Sequence, residues 1–220
     1  MTQTSTQSPE QQDGNPEAQP FRIVVFADFV CPYSYLTVSQ VDRLAREYAV
    51  RPMWRPHWLH PETPPEGTPR GPEESSARQQ RLLAWIKDMS PEHLERIRIP
   101  EKRQYSFLAF EALEYATALG LDFEFKTALY ELMWTAGGDI GEVDTLVQAG
   151  ELVGIPPEDM RYAIENRLYA QRALDAVNQA RTIGITNTPT LILGRTRING
   201  WHYYEVLQEV MEKQGMRVVG

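Results

Sequence analysis

Sulfur nucleophiles are the scarcest resource in this chain: of 220 residues only one, Cys31, is a cysteine. No intramolecular disulfide can form, so any redox role must run through a bond between Cys31 and a second molecule. Long apolar runs are also missing. Ile23–Ala27 and Leu191–Leu193 are the longest patches of interest, far short of the roughly 18 residues that a membrane-spanning helix needs. Positive charge is in deficit, with 22 Lys and Arg against 30 Asp and Glu and a net charge of −8. A surface built for DNA or RNA backbones needs a clustered basic face, so no nucleic-acid partner is expected. Residues 1–20 contain no basic residue and no apolar stretch, Arg22 being the first cation. A secretory leader needs both, so the expected location is the cytoplasm, with no membrane partner.

Residues 1–20 are polar and rich in Gln, Pro, Ser and Thr, too little apolar surface to offset ordering entropy, which predicts a disordered tail. Structure should begin at Phe21. Ile23-Val24-Val25-Phe26 is a β-branched and aromatic run that suits a buried strand. Pro32 is placed to open a helix, because proline has no N–H to leave unpaired at the first helical position. Val41, Leu44, Ala45 and Tyr48 then share one helical face. The segment Arg51–Leu59 carries two prolines, Pro52 and Pro56, that restrict it to an edge strand or an extended piece. Residues 60–77, dense in Pro and Gly, read as a loop. From about 78 to 182 the pattern is helical: Phe107, Phe110, Leu113 and Ala116 repeat every three residues, and Gly120 stands where a C-terminal cap belongs. Thr190–Leu193 and Thr196–Ile198 read as a hairpin, and a last helix should bury Tyr203, Val206, Leu207 and Val210. The order is β-α-β, about a hundred helical residues, then β-β-α. The expected layout is an α/β unit of residues 21–77 and 183–220, interrupted by an all-helical insertion of 78–182.

Cys31 follows a buried strand and precedes a helix that opens on proline. A sulfur there feels the unpaired N–H groups and positive dipole end of the helix, which favour thiolate. An unperturbed thiol is only about 3% ionised at pH 7, and the corner is expected to lower its pKa. Ser34, at i+3, shares its helical face and could donate a hydrogen bond to the sulfur. The bland reading, a small buried hydrophobe, is the weaker one at such a corner.

Asp28-Phe-Val-Cys31-Pro32-Tyr33-Ser34-Tyr35-Leu36 resembles the active-site corner of the DsbA-like thioredoxin-fold families. Gly184-Ile185-Thr186-Asn187-Thr188-Pro189-Thr190 resembles their cis-proline loop, and Trp54-Arg55-Pro56 leading to Pro61 is similar to the FrnE branch. The resemblance spans about residues 21–214 and implies a thioredoxin-like fold with its helical domain inserted. It also implies that Thr188, before a cis Pro189, pairs with the backbone of a substrate cysteinyl group. The FrnE-type oxidoreductases usually carry Cys-Pro-Trp-Cys or similar; here Ser34 replaces the second cysteine. The Pro-Tyr-Ser-Tyr-Leu string instead resembles 2-hydroxychromene-2-carboxylate isomerases and kappa-class glutathione transferases, which commonly have serine where Cys31 stands.

Three functions follow. The first is a thiol–disulfide oxidoreductase acting through Cys31, with Ser34 beside it and Pro32, Tyr33, Thr188 and Pro189 holding the substrate. With no second cysteine, glutathione or another low-mass thiol must serve as cosubstrate, and no covalently bound cofactor is expected. The second is a glutathione-dependent isomerase or transferase in which Cys31 or Ser34 only hydrogen-bonds a bound thiol. The third is a binding module that has lost its chemistry. His57 and His60 invite a metal reading, but sites usually want three or four ligands, so no metal is expected. His93 and His202 read as helix-end or surface residues, and Arg195 and Arg197 as a solvated strand face or a carboxylate contact. Tyr33, Tyr35, Trp54 and Trp201 are pocket or core aromatics. Glu111, Glu114 and Glu124 are expected on solvated helix surfaces.

Overall fold

Residues 21–219, without the side chains of 73–75, are described by a computed structural model of the protein. The expected tail of residues 1–20 lies outside the described residues. β1 (Ile23–Ala27) leads through a tight corner into α1 (Pro32–Tyr48), and β2 (Met53–Pro56) follows. β3 (Thr68–Pro69), α2 (Pro72–Met89), a single 3-10 turn (Pro91–His93) and β4 (Lys102–Arg103) come next. Five helices continue the chain: α3 (Phe107–Ala118), α4 (Asp122–Trp134), α5 (Val143–Leu152), α6 (Pro157–Glu165) and α7 (Ala170–Thr182). β5 (Thr190–Leu193), β6 (Thr196–Asn199) and α8 (Tyr204–Lys213) close it.

The main sheet runs β2-β1-β5-β6, with β1 parallel to β2 and antiparallel to β5, and β5 antiparallel to β6. The order β-α-β, helices, β-β-α is therefore the one the sequence implied, and the proline-bearing β2 is an edge strand. β1 is central and buried on both faces. Ile23, Val25 and Ala27 join the main core. Val24 and Phe26 point the other way, towards Ile192, Ile185 and Ala180. No helix among the described residues is long and apolar enough to cross a membrane.

Several local expectations need correction. The loop of 60–77 is shorter than expected, because Pro72 opens α2 as its first residue. Thr68–Pro69 also pairs with Lys102–Arg103 in a small second sheet, too short to show a strand period in the sequence. The buried face of α8 is Tyr204, Leu207 and Met211, whereas Tyr203 and Val206 are exposed. The buried stripe is thus turned by about one residue from the expected one, with Leu207 common to both. Glu111 and Glu114 are not solvated. Both carboxylates are buried, because α3 is covered by α6, α7 and the link between them, and that link and α7 supply compensating cations. Arg167 holds Glu111 with Nε to Oε2 at 2.9 Å and Nη2 to Oε1 at 2.5 Å. Arg172 donates to Glu114 at 2.6 Å. Glu124 is exposed, as expected. Arg197 is exposed on its strand, as expected, and in addition donates to the carbonyls of Ile183 and Gly184, capping the end of α7.

The β5–β6 turn shows how little freedom the sheet edge has. Gly194 has φ +57°, a left-handed conformation that costs an L-residue roughly 1–2 kcal/mol. Gln214 clamps the same turn, accepting from the Arg195 N–H at 2.9 Å and donating to the Leu193 carbonyl at 2.7 Å. A Cβ at Gly194 would strike Gln214 Oε1 and come within 2.6 Å of the Phe21 ring. Gly194→Ala should therefore cost about 2 kcal/mol or more and lower Tm by about 4–8 °C. Gly137 has a similar φ of +78° but open space around it, so Gly137→Ala should cost about half as much in the same thermal melt.

Candidate active site

The corner after β1 is built by the backbone. The Cys31 N–H donates to the Asp28 carbonyl at 3.1 Å, and the N–H groups of Ser34 and Tyr35 donate to the Cys31 carbonyl at 3.1 and 3.2 Å. Cys31 is thus the residue at the head of α1, in an extended conformation, with Pro32 as the first helical residue. Its side chain faces the loop before β5. The Thr188-Pro189 bond is cis, and the Cys31 thiol donates to the Thr188 carbonyl at 3.5 Å across 157 positions of sequence. That loop is held in turn by Thr190 Oγ1, which donates to the Asn187 carbonyl at 2.9 Å. The Gly200 N–H donates to the Pro189 carbonyl at 2.7 Å.

Cys31, Pro32, Ser34, Thr188 and Pro189 therefore meet at one corner. Tyr33 does not point into it. Its ring is exposed and edge-on to Trp85 of α2, with centroids 4.8 Å apart. Trp85 meets Trp201, and Trp201 meets Tyr203, so an aromatic row runs outward from Tyr33. Tyr35 and Trp54 belong to the core. Tyr35 stacks on Trp134, and Trp54 lies edge-on to Tyr130.

The expected lowering of the Cys31 pKa is not what the environment produces. Cys31 is only 5% exposed, and burial pushes its thiol above the ordinary value. Interactions with Thr188 and Ser34 pull in the opposite direction but do not outweigh the loss of water. The sequence shows the helix terminus but not the cover that the Thr188 loop places over it. The hydroxyls of Ser34 and Thr188 are both buried and meet no partner at full hydrogen-bond geometry. Buried hydroxyls without partners are uncommon and costly. Here both act on a single sulfur, and both favour its ionised form.

Two residues that sequence reasoning passed over complete the corner. Asp28 is wholly buried. Its Oδ1 accepts from the Val30 N–H at 3.2 Å, and its Oδ2 accepts from the Leu59 N–H at 2.9 Å. Burial raises its pKa to about 6 despite those bonds, and its charge opposes the thiolate of Cys31. The usable signal was an acid inside the apolar stretch Phe26–Val30, since buried charge is rare without purpose. Tyr130 is the second. Its hydroxyl donates to the Asp28 carbonyl at 3.3 Å, and one turn later on α4 Trp134 Nε1 donates to the Phe29 carbonyl at 2.9 Å. Lys126, one turn earlier, is buried and paired with Asp42 of α1 at 2.7 Å. One helix, α4, thus holds both α1 and the corner in place.

The histidines stand apart from this chemistry. His93 is buried at the end of the 3-10 turn against Ser90, and His202 contacts the Asn199 carbonyl. His57 and His60 do not assemble with other ligands. Among the described residues, no three His, Cys, Asp or Glu side chains come together as a metal-ligand set.

Comparison with known proteins places the fold. A curated relative, the uncharacterized protein YwbO of Bacillus subtilis (strain 168), is 25% identical over 195 residues, covering 87% of this chain and 96% of its own. A probable DsbA oxidoreductase from Streptomyces coelicolor superposes with a TM-score of 0.72 at 18% identity, over 88% of this chain and 89% of the other. A 2-hydroxychromene-2-carboxylate isomerase gives 0.69 at 15% identity, over 88% and 94%. The cytosolic disulfide reductase DsbM from Pseudomonas aeruginosa, solved with glutathione, gives 0.63 at 13% identity, over 88% and 98%. At such identities the structures speak for the fold alone. The model of the DSBA-like thioredoxin domain matches residues 22–212, and with that match the chain belongs to the DsbA-like thioredoxin-domain family.

Proposed function

We propose that this protein is a thiol–disulfide oxidoreductase of the DsbA/FrnE type that works through Cys31 alone and is turned over by an external low-mass thiol such as glutathione. The observation that carries this reading is the single sulfur at the head of α1, facing the Thr188 carbonyl with two otherwise unpartnered hydroxyls beside it. Cys31 thiolate attacks a substrate disulfide, forms a mixed disulfide and releases the other half as a thiolate, which takes a proton from water. An external thiolate then attacks the substrate-side sulfur, frees Cys31 and leaves with the new disulfide. A second external thiol splits that disulfide, so two external thiols supply the two electrons. Pro32, Thr188 and Pro189 shape the place where the substrate sulfur docks, and Tyr33 extends it outward. Such a monothiol cycle fits a reducing compartment such as the cytoplasm. The same reading takes residues 21–77 and 183–220 as the thioredoxin-like unit and 78–182 as its helical insertion.

A specific observation favours a second reading, a glutathione-dependent isomerase or transferase. The thiol of Cys31 is pushed up by burial, and an un-ionised Cys31 with a free Ser34 hydroxyl could hydrogen-bond a bound thiol without reacting. Intact-mass measurement after mild treatment with oxidised glutathione separates the readings. One glutathione adduct is expected on the protein and none on Cys31→Ser, and excess reduced glutathione should remove it. Tight non-covalent glutathione binding without an adduct would overturn the oxidoreductase reading in favour of the isomerase. Neither adduct nor binding would point to a non-catalytic module.

A further inference from the structure

The Asp28 carbonyl takes two donors at once. The Cys31 N–H reaches it at 3.1 Å and the Tyr130 hydroxyl at 3.3 Å. Tyr130 comes from α4, 102 positions away in sequence, yet its hydroxyl is tied to the peptide group that holds the nucleophile. It is 1% exposed, so no bulk water competes for its proton. The Ser34 hydroxyl is fully buried without a hydrogen-bond partner. It acts both on the Cys31 thiol and on the Tyr130 hydroxyl. Ser34, one turn after Cys31 on α1, is therefore a buried neighbour of the nucleophile with its own hydrogen-bonding capacity unspent.

Ionising a thiol in such a place creates a buried charge that must be met by donors. A serine hydroxyl has one proton and two lone pairs. If its proton goes to the sulfur, its oxygen can accept from elsewhere, and chained donors polarise one another. Burial first, and then the charges of Cys31 and Asp28, hold the Tyr130 phenol well above its ordinary pKa. It thus keeps its proton while the thiol ionises. The titratable groups that face Cys31 are Asp28 beneath it and Tyr130 beside it; Thr188 adds only a neutral hydroxyl.

We propose that Tyr130 is a positioning residue for Cys31: as the thiol ionises, the Tyr130 hydroxyl turns from the Asp28 carbonyl to Ser34 Oγ and so aims the Ser34 proton at the sulfur. The thiol proton leaves to solvent, and neither hydroxyl gives up its own. This rests on the reading of Cys31 as the reacting group. It assigns to the helical insertion a part in the chemistry of the corner, in addition to its structural role.

The test is the pH profile of Cys31 alkylation by iodoacetamide. Tyr130→Phe keeps the ring and removes only the hydroxyl. It should raise the titration midpoint by about one unit, so that alkylation below both midpoints is about tenfold slower, the size expected for losing one hydrogen bond to a charged network. Trp134→Phe is the control, since it removes a bond from the same helix to the neighbouring Phe29 carbonyl without reaching Ser34. Its midpoint should match the wild type. Ser34→Ala should raise the midpoint at least as much as Tyr130→Phe, and adding Tyr130→Phe to it should change nothing further. An unchanged midpoint in either Tyr130→Phe or Ser34→Ala overturns the proposal, as does an equal shift in Trp134→Phe. A wild-type protein that forms a mixed disulfide while Tyr130→Phe keeps its midpoint defeats this inference alone. A wild-type thiol that neither ionises nor forms an adduct defeats the reading of Cys31, and this inference falls with it.

Discussion

Exchanging Asp28 for asparagine should make the stability of the protein much less dependent on pH between about 4 and 7.5. Burial raises the Asp28 carboxyl from 3.8 to about 6. Between those values the folded protein holds a proton that the unfolded chain has released. The sign is therefore the reverse of a salt-bridged carboxylate: this group favours the fold at low pH and withdraws that support as pH rises through about 6. A shift of about two units corresponds to about 3 kcal/mol, all of it lost above pH 6. Asparagine carries no such charge. Its amide cannot accept from both the Val30 and Leu59 N–H groups, but that cost is the same at every pH and cancels in the comparison. Denaturant unfolding at pH 4 and pH 7.5 should show the difference between Asp28→Asn and wild type moving by about 2–2.5 kcal/mol in favour of the variant, since part of the effect is already lost at pH 4. A constant difference would mean that Asp28 is not the buried acid described. The same variant removes a charge that opposes the thiolate, so the Cys31 midpoint should fall.

A loss of similar size is expected from Arg167→Met. The Glu111 carboxylate is fully buried and takes its hydrogen bonds from the Arg167 guanidinium. Removing that partner leaves a charge without compensation, a change that costs about 3–5 kcal/mol in buried pairs. The Arg167 side chain is 48% exposed, so the lower end of that range applies. Burial already pushes the Glu111 carboxyl above its ordinary pKa even with the arginine present. Without it the carboxyl rises further and takes up a proton, so the destabilisation should shrink as pH falls. Urea unfolding should show a lower midpoint with an unchanged slope. Adding Glu111→Gln to Arg167→Met should restore a large part of the loss at pH 7, which an effect on backbone conformation at residue 167 would not do.

The parts of this molecule that were legible in the sequence are those set by short-range rules. Pro32 at the head of a helix, Gly120 past the end of another and prolines on an edge strand each describe local backbone geometry. The pairing of Cys31 with the Thr188 loop was reached through family resemblance, since no spacing rule links positions so far apart. What the sequence hid was burial. Glu111 and Glu114 look like a solvated stripe until α6 and α7 cover them. The thiol looks activated until the loop before β5 removes water from it. Asp28 and Tyr130 could not be joined by inspection, because their contact is made by packing α4 against a corner that lies far earlier in the chain. The α8 face differs by one residue, the distance by which a helix start can slip without disturbing its period.

That long separation gives the corner a history as well as a geometry. Tyr130 and Trp134 lie 102 and 105 residues beyond the carbonyls they anchor, and Thr188 lies 157 beyond the sulfur it covers. At about 5–20 residues per second, a ribosome needs about 8–30 s to travel from Cys31 to Thr188. Throughout that interval β1 lacks β5, and the thiol lacks the loop that shields it from water. In the nascent chain Cys31 is therefore an ordinary solvent-facing thiol, open to whatever oxidant or electrophile it meets. The thiol is thus most accessible while its own chain is still being made.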